Sequence, residues 1–231
     1  MRILLVTATW LEAKPLMAGF HFLRKYSGNN YSFRYGEHRV DVLVTGMGMV
    51  ATAYGVGKAL MNTRYNLAIN AGICGSFRKE LSPGTVLNIK EEFFPEFGMV
   101  DDTGFKYIQE LGFETNLPSA CKNTLLENPH FNQVIGFKNL PTARGATVNL
   151  VDLSGKRKPN YLSPTLEADV ETQEGGAFFF GCLAGEVPFI EIRAVSNYVG
   201  ARYNPCRRCH RWPRSMRRAE VSGIGCRMKT G

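Results

Sequence analysis

Short apolar runs alternate with polar turns along the first 200 residues of the chain. Residues 2–6, 66–71 and 187–197 each hold consecutive aliphatic or aromatic side chains, as in strands buried on both faces. Helical patterns are predicted for 10–16, 49–62, 105–111 and the segment that contains Glu174. Strands that alternate with helices predict an α/β fold, with a single domain and a central mixed, largely parallel twisted sheet flanked by helices.

Glycines follow two of the predicted strands. Gly46 and Gly48 separate a β-rich run from a helix, but the third glycine of a dinucleotide fingerprint is absent, and no acidic residue ends the next strand. We interpret this segment as a tight turn with close helix–sheet packing. After residue 71, Gly72 begins a second glycine-rich segment. The sequence is equally consistent with a plain turn here and with a backbone that lies close to a ligand.

Polar residues stand beside three of the apolar runs. Glu12 follows the first strand, Glu171 and Glu174 precede an apolar segment, and Arg193 and Asn197 lie near the end of the last strand. Polar groups beside a core need partners, and ligands of open α/β sheets bind at the carboxyl ends of strands. The pattern therefore predicts a site. On position alone, the favoured interpretation of Glu12 is a first-turn acid stabilised by the helix dipole.

The net charge of +8 comes from the last 31 residues. Residues 201–231 hold eight Arg and one Lys against one acid, whereas the first 200 residues hold 19 basic and 19 acidic side chains. The domain is therefore not predicted to bind nucleic acid. No run approaches the length of a membrane span, and the first strand is too short for a signal segment, so we expect a cytoplasmic protein.

Cysteines also concentrate in this tail. Cys206, Cys209 and His210 match the haem-attachment spacing, and with Cys226 they have the ligand types of a zinc site. We expect neither haem nor metal, because no export signal precedes the motif and no Met is nominated as an axial ligand. The division is a domain at 1–200 and an atypical basic tail at 201–231. We interpret the tail as a disordered, frameshifted or otherwise altered C-terminus.

Three motifs resemble those of the purine nucleoside phosphorylase and nucleosidase superfamily. They are Glu12 after the first strand, the segment Asn70-Ala71-Gly72-Ile73-Cys74-Gly75, and the block 171–200. That block, with Glu-Thr-x-Glu-Gly-x-Ala-Phe-Phe and Pro-Phe-Ile-x-Ile-Arg-Ala-x-Ser-Asn-Tyr-Val-Gly, is most similar to the futalosine hydrolases of menaquinone biosynthesis. The resemblance covers roughly residues 1–200, with its specific part in this final block.

The resemblance implies roles for ten residues and no cofactor. Glu12 is expected to be the general base that orients water, and Asn197 to hold the purine at its N7 edge. Glu174 is expected to accept hydrogen bonds from the ribose hydroxyls. The remaining substrate-binding residues are Thr172, Gln173, Val148, Asn149, Gly72, Ile73 and Arg193, of which Arg193 is expected to organise the site more than to touch substrate. Gln173 stands where the pattern has a Met under the ribose.

The implied reaction is hydrolysis of the N-glycosidic bond of futalosine, which releases hypoxanthine. A carboxylate such as Glu12 repels phosphate, which favours hydrolysis over phosphorolysis. The amide of Asn197 donates to O6 of a 6-oxopurine, whereas an Asp suits adenine. The alternatives are a methylthioadenosine/S-adenosylhomocysteine nucleosidase, and an inactive purine-binding or basic-tailed nucleic-acid-associated protein. The resemblance also implies a homodimer or larger homo-oligomer.

Overall fold

The computed structural model describes residues 1–26, 28–112, 125–131, 134–151 and 167–200. The predicted tail at 201–231 lies outside these ranges. The described elements are, in chain order, β1 (Arg2–Thr7), α1 (Trp10–Leu16), β2 (His21–Lys25), β3 (Asn30–Tyr35), β4 (His38–Val44), α2 (Met49–Asn62), β5 (Leu67–Ser76), β6 (Val86–Phe93), β7 (Gly98–Asp101), β8 (Gly104–Tyr107), β9 (Leu125–Glu127), β10 (Thr142–Thr147), β11 (Val170–Thr172), α3 (Gly175–Ala184) and β12 (Phe189–Tyr198), with 3-10 turns at Ile108–Leu111 and Ile135–Phe137.

The predicted mixed α/β sheet is confirmed. Its strand order is β11-β10-β6-β12-β5-β1-β4-β3-β2, and β9 adds to β6. The central strands β12, β5, β1 and β4 pair in parallel, whereas β2, β3 and β4 form antiparallel hairpins. Strand β11 also pairs antiparallel with β5, so β5, β12, β6, β10 and β11 close on one another. This closure gathers the ends of β5, β11 and β12 at one place.

Each face of the sheet has its own hydrophobic core, because side chains alternate along a strand. Ile3 and Leu5 pack on the face that carries α1, and Leu4 and Val6 pack on the face that carries α2 and α3. In β12, Phe189 belongs to the second face, where its ring lies 4.7 Å from that of Phe179. Period-two alternation places Glu191 and Arg193 on this same face, under α3.

Three local predictions differ from the structure. The strand predicted to end at residue 71 continues as β5 to Ser76, so its glycines lie within a strand and not in a turn. The helix predicted at 105–111 is replaced by β8 and a 3-10 turn, which follow the β7–β8 hairpin. Helix α3 begins at Gly175, so Glu174 is its N-cap residue, and Glu171 lies in β11. The glycines after Glu174 were expected inside a helix that had already begun.

Candidate active site

Thr9 fixes the position of Glu12 at the start of α1. Thr9 is the N-cap residue, and its peptide N–H and hydroxyl both donate to Glu12 Oε2, at 2.8 and 2.9 Å. The backbone N–H of Glu12 in turn donates to the Thr9 hydroxyl at 3.4 Å. This is a capping box, which confirms the first-turn interpretation of Glu12. The other carboxylate oxygen, Oε1, accepts from the Ile73 N–H of β5 at 3.3 Å.

Burial makes the Glu12 carboxylate a stronger base than a solvent-exposed glutamate. Desolvation raises the pKa of Glu12 above its usual value, and the Glu174 carboxylate adds to the rise. The hydrogen bonds from Thr9 and the charge of Arg193 act in the opposite direction. A carboxylate with a raised pKa accepts a proton more readily, as general-base catalysis requires.

The N-terminus of α2 contacts the Glu174 carboxylate. Glu174 is the N-cap residue of α3, and its Oε1 accepts a 3.0 Å hydrogen bond from the Gly48 N–H at the N-cap of α2. Gly48 has a φ of 90°, a conformation that favours glycine. The unpaired N–H groups and partial positive charge of a helix start attract a carboxylate. The glycine turn before α2 therefore positions an acidic group of the site.

Arg193 links Glu174 to the interior. Its side chain is 1% exposed, its Nε donates to Glu191 Oε1 at 2.5 Å, and its Nη1 contacts Glu174 Oε2 at 3.4 Å. The same Nη1 lies 3.5 Å from the Ile73 carbonyl. Burial opposes the charge, but Glu191 and Glu174 outweigh it and raise the pKa of Arg193. Arg193 is therefore a buried cation that orients Glu174, in line with the organising role expected for it.

Gly72 is where these groups converge. A Cβ at this position of β5 would collide with Arg193 Nη1 and would lie 3.2 Å from both Arg193 Cζ and Glu12 Oε1. Only a glycine therefore allows the guanidinium to lie against the strand. Glu12 from α1 and Arg193 from β12 approach the same point of the β5 backbone, which lies in the middle of β5 and just beyond the carboxyl end of β1. The Ile73 side chain beside it is 39% exposed.

A pair of buried glutamates, Glu92 and Glu191, lies beneath the site. Glu92 and Glu191 are both fully buried, and a methyl group on Gly175 would collide with one oxygen of each, so the two oxygens flank the same point. Thr147 and Thr172 donate to Glu92 at 2.8 and 3.0 Å. Burial, and then the charge of Glu191, raise the pKa of Glu92 well above its usual value. Two like charges so close oppose each other's ionisation, which favours a proton on one member of the pair.

Asn197 lies at the strand closure described above. It pairs with Gly75 of β5, next to a bulge in β12, and Gly75 also pairs with Glu171 of β11. Its Oδ1 accepts from the Ser196 hydroxyl at 2.6 Å, and its Nδ2 donates to the Tyr198 carbonyl at 3.1 Å. These two contacts identify Nδ2 as the donating end of the amide. The β-bulge, and not the regular alternation of side chains along the strand, determines the direction of the Asn197 side chain.

The other predicted substrate residues lie around β10 and β11. The Thr172 hydroxyl is buried on Glu92, so only its backbone faces outward from that network. Val148 is buried, and its N–H donates to the Thr172 carbonyl at 3.0 Å. Asn149 is exposed, with its N–H 3.3 Å from Glu96 Oε2, and Gln173 is half-buried. Their contacts with substrate stay predictions.

Sequence reasoning missed four groups that shape the site. The Thr9 hydroxyl had a detectable signal, since Thr9 and Glu12 have the spacing of a capping box. Glu191 also had one, because it alternates with Arg193 within an apolar strand and must share its face. The Gly48 peptide N–H and Glu92 had none, since each depends on a contact between elements that are distant in the chain.

Two further searches bear on the expectations about metal and membrane. In the ranges that the structure describes, no group of three or more His, Cys, Asp or Glu side chains is arranged to hold a metal ion. Of the helices described, none has both the length and the apolar content needed to cross a bilayer.

Comparison with known proteins gives one family. The sequence model of the phosphorylase superfamily matches residues 2–206. Futalosine hydrolase from Streptomyces coelicolor is 30% identical over 173 residues, which cover 70% of this chain and 68% of that protein.

Solved structures of low sequence identity share the fold. The 5′-methylthioadenosine/S-adenosylhomocysteine nucleosidase of S. pneumoniae has a TM-score of 0.76 at 17% identity, over 97% of this chain and 100% of that chain. The futalosine hydrolase of Helicobacter pylori has a TM-score of 0.73 at 14% identity, over 97% of this chain and 95% of that chain. At these identities the likeness extends to the fold alone.

Proposed function

Since the chain belongs to the phosphorylase superfamily, we propose that it is a nucleosidase that hydrolyses futalosine and releases hypoxanthine. The observation that carries the proposal is the convergence of Glu12 and the Arg193–Glu174 pair at Gly72. A base and a ribose-binding carboxylate held near one backbone position suit water attack on a ribose. The similarity to a curated futalosine hydrolase supports the choice of substrate.

In the proposed reaction, water attacks the anomeric carbon of the ribose. Glu12 accepts a proton from the water as its oxygen bonds to that carbon. The C–N bond breaks, and its electron pair goes to the purine, which takes up a proton from solvent and leaves as neutral hypoxanthine, while Glu12 returns its proton to solvent. Glu174 accepts hydrogen bonds from the ribose hydroxyls, and these strengthen as positive charge develops on the sugar. Arg193 keeps the Glu174 oxygens in place.

The amide of Asn197 supports a 6-oxopurine as the leaving group. An amide donates through Nδ2 and accepts through Oδ1, which matches O6 and a protonated N7 of hypoxanthine. The Tyr198 carbonyl can only accept a hydrogen bond, so its contact with Nδ2 assigns the amide nitrogen as the donor end. Adenine presents a donor at the same position, and its amino group would meet this N–H unfavourably.

Turnover of futalosine by the purified full chain tests this proposal. We expect release of hypoxanthine without added phosphate, and loss of turnover by at least about 100-fold in Glu12→Gln, since general-base catalysis contributes about 10²–10⁴-fold. Glu80→Gln is the matched control, because Glu80 is an exposed carboxylate in a loop. Faster cleavage of 5′-methylthioadenosine than of futalosine would instead support the alternative nucleosidase, and no turnover of either nucleoside would support the binding protein.

We also infer a homodimer, one of the assemblies that the resemblance implies, and we propose that the exposed apolar side chains at the two ends of α2 contribute to its interface. Val50 and Met61 lie on the outer side of α2 and are 79% and 91% exposed, which is unusual for large apolar side chains on one helix. The molar mass from light scattering should equal two chains, and Val50→Glu should reduce it to one. A monomeric wild-type protein would contradict the inference. The cytoplasmic location stays a prediction.

A further inference from the structure

A basic cavity lies between α2 and strands β2–β4, apart from the candidate active site. Its volume is about 700 Å³, and its wall includes Arg2, Arg24, Tyr26, Tyr54, Lys58 and Tyr65. Among the described residues, no acidic side chain lines it, and none of the groups that converge at Gly72 belongs to it.

Three guanidinium groups converge on the Tyr26 hydroxyl. Arg39 Nη2, Arg2 Nη2 and Arg24 Nη2 donate to this oxygen at 2.6, 2.8 and 3.0 Å. A neutral hydroxyl has two lone pairs, so it cannot satisfy three donors fully. Burial opposes ionisation of the phenol, but the hydrogen bond from Arg24 helps to lower the pKa of Tyr26. This one oxygen therefore faces more donors than it can satisfy.

A single carboxylate offsets these charges. Asp41 is fully buried and pairs with Arg2 at 2.8 Å and with Arg39 at 3.6 Å. Its Oδ2 also accepts from the Tyr65 hydroxyl at 3.1 Å. Within the part of the chain that the structure covers, no ion pair neutralises Arg24 or Lys58. Four cations around one anion leave an excess positive charge.

Tyrosine rings hold three of these cations in place. The Arg24 Cζ lies 4.4 Å from the centroid of the Tyr26 ring, and the Lys58 Nζ lies 5.7 Å from that of Tyr54. Arg2 lies likewise over the Tyr65 ring, at 5.5 Å. A ring face orients a cation without supplying a charge that cancels it. The cations are therefore positioned and still able to bind an anion.

We propose that this cavity binds the phosphate group of a small organic phosphate, with Arg24 and Lys58 as direct contacts. The guanidinium fork matches phosphate oxygens, and bound phosphate would supply charged acceptors to guanidinium groups that now share the single Tyr26 hydroxyl. The volume is that of a site for a nucleotide-sized ligand, with room for an organic group beside the phosphate. The proposal is independent of the nucleosidase activity, because the residues are different.

Titration calorimetry of the full chain with inorganic pyrophosphate and with ribose 5-phosphate tests the proposal. Both probes should bind with a stoichiometry of one per chain and weaken as salt increases. Arg24→Gln and Lys58→Gln should each weaken binding by about tenfold or more, since each removes a charge-assisted contact. Arg34→Gln, an exposed arginine of β3 outside the cavity, should leave it unchanged. Nucleoside turnover by Arg24→Gln should equal that of the wild type.

Either of two results would overturn the proposal. One is the absence of binding at about 1 mM pyrophosphate in low salt, the weak limit of a specific site. The other is binding that survives both substitutions, which would locate the anion elsewhere. Because Arg24 is exposed, its replacement leaves the core intact, and an unchanged melting temperature would exclude unfolding as the cause of lost binding.

Discussion

Gly72→Ala adds one methyl group at the point where the site converges. The new Cβ would collide with Arg193 Nη1 and lie 3.2 Å from Glu12 Oε1. Arg193 is 1% exposed and its Nε is held by Glu191, so any movement of the guanidinium would disturb this buried ion pair. The substitution should therefore displace Nη1 from Glu174 Oε2 and from the Ile73 carbonyl.

The size of the effect follows from the contact that is lost. A hydrogen bond to a charged group contributes about 1.5–3 kcal/mol. If Glu174 then orients the ribose poorly in the transition state, kcat/KM should fall by about 10- to 150-fold. The assay is hypoxanthine release from futalosine, with the melting temperature measured on the same samples.

Gly57→Ala is the matched control, because a Cβ there meets no atom within 4 Å. It should preserve activity and stabilise α2 by about 0.5–1 kcal/mol.

A double-mutant cycle decides whether Gly72 acts through Arg193. If it does, Gly72→Ala should cost much less activity in an Arg193→Lys background than in the wild type. Activity of Gly72→Ala within threefold of wild type, roughly 0.6 kcal/mol, would refute the reasoning, as would full additivity of the two substitutions.

Three other predictions concern protons and specificity. The raised pKa of Glu92 means that its contribution to stability is complete below the unfolded pKa of about 4.3 and is lost as pH rises toward the folded value, at up to about 1.4 kcal/mol per pH unit. Urea unfolding of Glu92→Gln should therefore depend less steeply on pH than that of the wild type, and an equal slope would contradict this. Thr9→Ala removes a bond that lowers the pKa of Glu12, so the acidic limb of the kcat/KM–pH profile should move to higher pH, and an unmoved limb would show that Glu12 is not the titrating base. Asn197→Asp should shift the kcat/KM ratio from futalosine toward adenine nucleosides by about tenfold or more, and a constant ratio would remove Asn197 from purine recognition.

Much of the fold was predictable because the burial of strands and helices produces regular patterns of apolar residues in the sequence. The aliphatic run at 2–6 predicted β1 to within one residue, and the helix predicted to run through about Asn62 agrees with the end of α2. The segment 66–76 was harder, since glycines usually end strands. Here β5 continues through Gly72 because β12 and β11 pair with its two edges. That tertiary pairing is invisible to a local pattern.

The positions of site residues were predictable where a single charged residue followed or interrupted an apolar run. Glu12 and Arg193 lie where β1 and β12 were expected to present them, and the structure brings both to Gly72. The direction of Thr172 was not predictable, because it depends on which face of the short strand β11 meets Glu92. A charged residue within an uninformative segment carries no sign that it will be buried, and Glu92 is such a residue.

The Gly48 amide has a consequence for how this site can be mapped by mutagenesis. The group that holds Glu174 Oε1 is a peptide N–H, which every residue except proline would also supply. An alanine scan deletes side chains only, so it would record at Gly48 the strain of a φ near 90° and not the loss of a donor. Replacing this one amide by an ester through semisynthesis would remove the hydrogen bond and keep the turn. The contribution of this hydrogen bond is therefore measured by replacing the backbone amide, and not by replacing the side chain.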